Sequence, residues 1–145
     1  MEKNNVTFKE VEEKIIVLRD TRIILDSDVA VLYGVDTKEV NQAVRNNPDK
    51  FPEGYIIMVT ADEVEFLRSK FLTAKISNKT RVPPKGFTEK GLYMLATILK
   101  SERASQTTIA IIETFAKIKE LSRTISELSN TNDEFKQKKN TAKRR

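Results

Sequence analysis

Five polar residues, Thr37, Lys38, Asn41, Gln42 and Arg45, carry the side chains best suited to reading a surface rich in acceptors and donors. On a helix advancing about 100° per residue they occupy one arc of about 140°. Asn and Gln amides match adenine N6 and N7, and an Arg fork matches guanine O6 and N7. Thr37 and Lys38, at the start of such a helix, also suit phosphate oxygens. Lys75, Lys79 and Arg81 form a second cationic set in a segment that also holds Ser69, Thr73, Ser77, Asn78 and Thr80, all able to donate to phosphates. Other chemistry is poorly supplied. Histidine and cysteine are absent, which removes the commonest general base, the commonest transition-metal ligand and thiol nucleophiles. Asp26, Asp28 and Asp36 lie close in sequence, but Asp26 and Asp36 read better as helix caps than as a carboxylate metal site. The expectation is a binding protein with no enzymatic activity, metal or cofactor.

The elements that must position the polar arc follow from local pattern. Asp26 is placed to cap a helix from about Ser27 to Tyr33, and Gly34 to end it in a left-handed conformation. Asp36 and Glu39 have the spacing of a capping box for a second helix reaching about Asn46, where Pro48 and Pro52 bar continuation. Two helices joined by so short a turn form a helix-turn-helix. Ala30 gives a close crossing, while Leu32, Val35, Val40, Ala43 and Val44 hold the second helix down. Upstream, Ile15–Leu18 and Ile23–Leu25 read as a β-hairpin. Downstream come a strand at Tyr55–Val59, a capping box at Thr60 and Glu63 opening a helix to about Lys70, a loop or hairpin over 71–86, and a helix from about Glu89 to Lys100. A turn at 101–105 then precedes a long helix from Gln106 to about Asn130. The fold class expected is α+β, with an N-terminal β-hairpin, a helix-turn-helix core, further short strands and a long C-terminal helix. The domain is expected over 14–120, preceded by a flexible arm at 1–13, continued by helix over 121–135 and closed by a basic disordered tail at 136–145.

Charge is blocked rather than spread. The chain carries +5 overall, but residues 1–67 hold 8 basic and 14 acidic side chains, 68–90 hold 7 and 1, 91–135 hold 5 and 6, and 136–145 hold 6 and none. The two basic blocks are where phosphate binding would concentrate. The tail suits nonspecific nucleic-acid contact or a solvated end equally. The last helix repeats apolar residues in heptads, with Ile111, Ile118 and Ile125 at one position and Thr114, Leu121 and Leu128 at the other, a pattern that favours two strands. Ile111, Ile118, Leu121, Ile125 and Leu128 are therefore candidates for homodimer contacts, the first half of the helix also packing on the domain. A dimer suits a two-fold DNA site. No apolar run reaches membrane-spanning length, and the N-terminus lacks a signal-peptide pattern.

Three ordered blocks resemble a known family. Ala30-x-Leu-Tyr-Gly-Val35, with Thr37-Lys38, Asn41-Gln-Ala-Val44 and Phe51-Pro52, is similar to the N-terminal DNA-binding domain of phage antirepressors, within the KilA-N superfamily. Phe87-Thr-Glu-Lys-Gly91 followed by Met94-Leu95 is the second block. Thr108-Ile-Ala-Ile111 with Phe115 is the third. The resemblance implies a compact α+β module that binds double-stranded DNA in the cytoplasm of a bacterial host, encoded by a phage or mobile element, and acts in transcription regulation. It also leaves a second function open, in which the module binds a repressor or pairs through its C-terminal helix.

Overall fold

The computed structural model describes residues 7–71 and 84–144, with side chains described over 7–70 and 84–129. The hairpin forms as expected. β1 (Ile15–Leu18) and β2 (Thr21–Leu25) pair antiparallel with Leu18 opposite Thr21. The two linking residues, Arg19 and Asp20, both take positive φ, 54° and 61°. That is the turn whose twist matches the strands it joins.

β2 runs directly into α2 (Asp26–Tyr33), and α3 (Thr37–Arg45) follows. A 3-10 turn at Pro48–Lys50 leads to β3 (Ile56–Met58), α4 (Ala61–Phe71), β4 (Lys85–Phe87), α5 (Glu89–Leu95) and α6 (Glu102–Arg144). The described strands make one antiparallel sheet in the order β1-β2-β4-β3. Alternation along the strands splits the core in two. Ile24 and Phe87 face a cluster built from α2, α3, α5 and α6. Ile23, Leu25 and Leu18 face the other side, where Val59 and Leu67 cover them.

Several expectations change. The arm at 1–13 is not uniformly loose, because Phe8–Lys14 is helix α1, opened by a reciprocal capping box between Thr7 and Glu10. Val11 is fully buried in the main core, and Lys14 reaches Asp28 at 3.7 Å. Asp26 is not an N-cap. Leu25 holds that position, since its pairing with Gly86 carries the sheet to the helix start. Asp26 is instead buried in the first turn and accepts from the Ser27 amide at 2.9 Å. Asp36 does sit at the N-cap of α3 but its side chain makes no capping bond, so the box with Glu39 does not form. α5 stops five residues early. Thr97 and Ile98 tighten onto Met94 and Leu95 carbonyls, and the Thr97 hydroxyl donates to Met94 O at 2.7 Å, a local bond that competes with helix continuation. Ser101 caps α6, accepting from the Ala104 amide at 3.0 Å, which starts that helix before Gln106. The helix also extends through the tail expected to be disordered. Propagating a helix through Lys, Gln, Ala and Arg costs little once the preceding turns exist.

The second expected box, at Thr60, does form and gains a long-range partner. Thr60 Oγ1 accepts from the Glu63 amide at 3.2 Å, and Glu63 accepts from the Thr60 amide at 2.9 Å. Arg19 in the hairpin turn grips the same carboxylate in two-point fashion, at 2.8 and 2.7 Å, and also donates to Met58 O at 3.0 Å. The Arg19 guanidinium first, and the Thr60 amide second, pull the Glu63 carboxyl down to about 2. A depressed carboxyl stabilises the fold above its unfolded value and loses that contribution as pH falls through the folded one. The stability gap between the wild type and Glu63→Gln is therefore expected to be full above pH 4.5 and to close towards pH 2. Urea midpoints measured across that range check it, and a gap independent of pH would refute the assignment.

Candidate nucleic-acid interface

α2 ends in a full Schellman arrangement. Gly34 takes φ 69° and ψ 34°, the Gly34 amide donates to Val31 O at 3.2 Å, and the Val35 amide donates to Ala30 O at 3.0 Å. Only Gly34, Val35 and Asp36 separate the two helices, so the chain reverses within one tight corner. The backbone conformation is what requires glycine there. A side chain would be strained at that φ, and a Cβ would lie 2.7 Å from Arg103 Nε. Arg103 lies across the corner from α6 and points Nη2 at Val31 O, 3.4 Å away. Thr107 donates to Leu32 O at 3.0 Å, and the Thr108 and Tyr33 hydroxyls meet at 3.0 Å. α6 thus satisfies the Leu32 carbonyl at the end of α2 and adds a second donor to Val31 O. Burial pushes the Tyr33 phenol up, against the smaller opposing effect of the Thr108 bond.

α3 divides as its sequence requires. Val40 and Ala43 are buried, and Val44 is half-buried against the same core. Lys38, Gln42 and Arg45 are exposed, while Thr37 and Asn41 are half-buried. The five residues are thus brought together on one accessible helical face. Asn47 Nδ2 donates to Ala43 O at 2.8 Å and closes the C-terminal end. Exposed Asp36 and Glu39 stand at the N-terminal end of α3, so the cationic side of the face is its middle and C-terminal end. Lys75, Lys79 and Arg81 lie outside the described residues.

Lys85 joins this face without having been singled out in the sequence. It opens β4 opposite Met58 and donates from Nζ to Asn41 Oδ1 at 3.2 Å. Its only sequence signal is membership of the basic block 68–90. β4 itself was hidden in a segment read as loop or hairpin, because Lys-Gly-Phe is too short to show alternation.

The second block of the resemblance has a structural explanation. Thr88 is the N-cap of α5 and accepts from the Gly91 amide at 3.3 Å, while its hydroxyl points to Gly54 O and Tyr55 O at 2.8 and 3.0 Å. A cleft of about 300 Å³ lies beside it, lined among others by Arg22, Glu89, Ile118 and Lys119. Two of its charges pair with each other: Glu89 Oε2 receives Lys119 at 2.6 Å, and it also receives Tyr93 at 2.8 Å. Burial first, and Glu89 second, push the Tyr93 phenol up.

Among the candidates for self-pairing, Ile111 is withdrawn. It is buried in the core of its own chain at 1% exposure, since the first half of α6 lies on the domain. Ile118 is half-buried at the edge, and Leu121, Ile125 and Leu128 are 56–61% exposed. Among the described residues, no helix is long and apolar enough to cross a membrane.

No curated protein and no solved structure matched the chain. The ORF6N domain profile matches residues 13–98, a span that holds the hairpin, both helices of the helix-turn-helix, β3, α4, β4 and α5. α1 lies almost wholly before that span and α6 after it, yet Val11, Ala104, Ile111 and Phe115 all enter the main core. By that match over more than half its length, the chain belongs to the ORF6N domain family, a domain found in phage antirepressor-like proteins.

Proposed function

We propose that the chain is a sequence-specific, double-stranded DNA-binding module of the phage antirepressor type, related to the KilA-N superfamily, acting in transcription regulation in a bacterial cytoplasm and without catalytic activity. The observation that carries this reading is the accessible row from Thr37 to Arg45 on a helix pinned by Val40 and Ala43 behind a three-residue corner. In that role α3 enters the major groove, with Asn41, Gln42 and Arg45 against base edges and Thr37 and Lys38 against the backbone. Lys75, Lys79 and Arg81 neutralise flanking phosphates, which makes affinity fall with salt. Arg45→Ala is expected to cost about 1–3 kcal/mol in specific binding and to relax preference at one base pair. Duplex selection from a random pool, with titration of the variant, measures both. Equal affinity for every duplex, unchanged in Arg45→Ala, would defeat the reading.

A second reading, an interaction module, is favoured by one observation. Leu121, Ile125 and Leu128 continue, in solvent, the heptad stripe that Ile111 and Thr114 bury against the domain. The flanking Ser122, Thr124 and Ser129 are uncharged, so a second copy of this chain meets no like-charge repulsion beside the seam from Leu121 to Leu128. Pairing of two copies through Ile118, Leu121, Ile125 and Leu128 is expected to be lost in Leu121→Glu with Ile125→Glu. Sedimentation equilibrium decides it, and a wild type that stays monomeric at high concentration removes self-pairing. A repressor helix on the same stripe is the remaining form of this reading.

A further inference from the structure

The contact between Lys85 and Asn41 bears on which base α3 reads, and it rests on the groove-reading function proposed above. An ammonium has three donors and no acceptor. The atom of Asn41 that meets Lys85 Nζ at 3.2 Å is therefore the carbonyl Oδ1, and the side-chain amide is fixed in one of its two orientations. Both residues are half-buried, which limits competition from water for this bond.

The consequence is chemical. An unconstrained Asn reads adenine with both ends, accepting from N6–H and donating to N7. Here the acceptor end is engaged by a cation. Bringing the amino hydrogens of adenine to the same oxygen would set partial positive charge beside a full one. Nδ2 still donates, and the Lys85 ammonium keeps donors of its own beside it. The joint surface of Asn41 and Lys85 offers N–H groups and positive potential, which complements the two acceptors, O6 and N7, on the major-groove edge of guanine.

We propose that Lys85 is a specificity-determining residue, holding the Asn41 amide so that the middle of α3 selects guanine and rejects adenine. The β4 strand thereby sets the base preference of a helix 44 positions earlier in sequence.

Selection from a random duplex pool tests this with the wild type, Asn41→Ala, Lys85→Met and Lys85→Arg. Asn41→Ala identifies the base pair concerned, as the one whose preference it flattens. The wild type is expected to enrich guanine there, and Lys85→Met to move the adenine-to-guanine ratio towards adenine by tenfold or more. Lys85→Arg, which also donates without accepting, is expected to retain guanine. A uniform loss of affinity in Lys85→Met reports only the lost charge, so the base ratio is the deciding measurement. Adenine enriched by the wild type at that pair, or a ratio unmoved by Lys85→Met, overturns the assignment while leaving groove reading intact. A wild-type pool with no enriched base pair defeats groove reading itself, and this assignment with it. Matching urea midpoints for the Lys85 variants and the wild type confirm that a change in ratio is not a change in folding.

Discussion

Gly91→Ala is expected to lower unfolding free energy by about 2–4 kcal/mol, although alanine is the better helix former by about 1 kcal/mol. The reason is one close approach. A Cβ on Gly91 would overlap the Tyr55 carbonyl oxygen and lie 3.0 Å from its carbon. Both atoms are backbone and cannot swing aside as a side chain would. That carbonyl already accepts from the Thr88 amide at 3.2 Å and faces the Thr88 hydroxyl at 3.0 Å. Relief of the overlap pulls α5 away from the β3 entry and breaks bonds at a buried N-cap. Overpacking costs about 1–3 kcal/mol and leaving a buried polar group unsatisfied about 1–3 more, which together exceed the propensity gain. Urea unfolding of the variant measures the loss. An unchanged or higher midpoint would show that α5 slides without cost, and the close-approach account would fail.

Phe87→Ala is expected to cost more, about 3–5 kcal/mol, while Phe87→Leu retains most of the stability. Phe87 is fully buried on the strand that joins the two halves of the sheet. It stands between Ile24 on β2 and Ile56 on β3. Its ring meets the Phe51 ring edge-on, with centroids 6.3 Å apart at 84°, a geometry that contributes about 0.5–1.5 kcal/mol beyond area burial. Truncation leaves a cavity between the sheet and the helices that carry the polar face, so the proposed DNA binding should fall with the fold. A loss under about 1 kcal/mol would show that the site collapses and that the ring is not the keystone of this core. The two substitutions should not add, because Gly91 and Phe87 are neighbours; a Cβ at Gly91 would lie 3.5 Å from the Phe87 ring.

Much of the arrangement is legible in the sequence where it depends on a few adjacent residues. The hairpin, the Gly34 corner, the amphipathic split of 37–45 and the Thr60 capping box are all of this kind. Each is a rule about residues within four positions of one another, so chain order alone states it. The same locality explains the errors. Asp26 has the identity of a cap, but a strand paired through Leu25 leaves no loop for it to cap from. Asp36 has the spacing of a capping box without its hydrogen bond. Residues 8–14 carry little apolar pattern, yet Thr7 and Glu10 have the spacing of a capping box that announces α1, and only the docking of Val11 shows what that helix is for.

By itself the sequence determined that a two-helix corner presents a polar, accessible set of side chains, because glycine at a left-handed position and valines at helical spacing act through local backbone geometry. Tertiary structure alone decided three other matters. It made Lys-Gly-Phe an inner strand, it turned Ile111 inward, and it set Lys85 against Asn41. These depend on where segments tens of residues apart come to rest. Burial and charge pairing are properties of that meeting and have no counterpart in the order of residues along the chain.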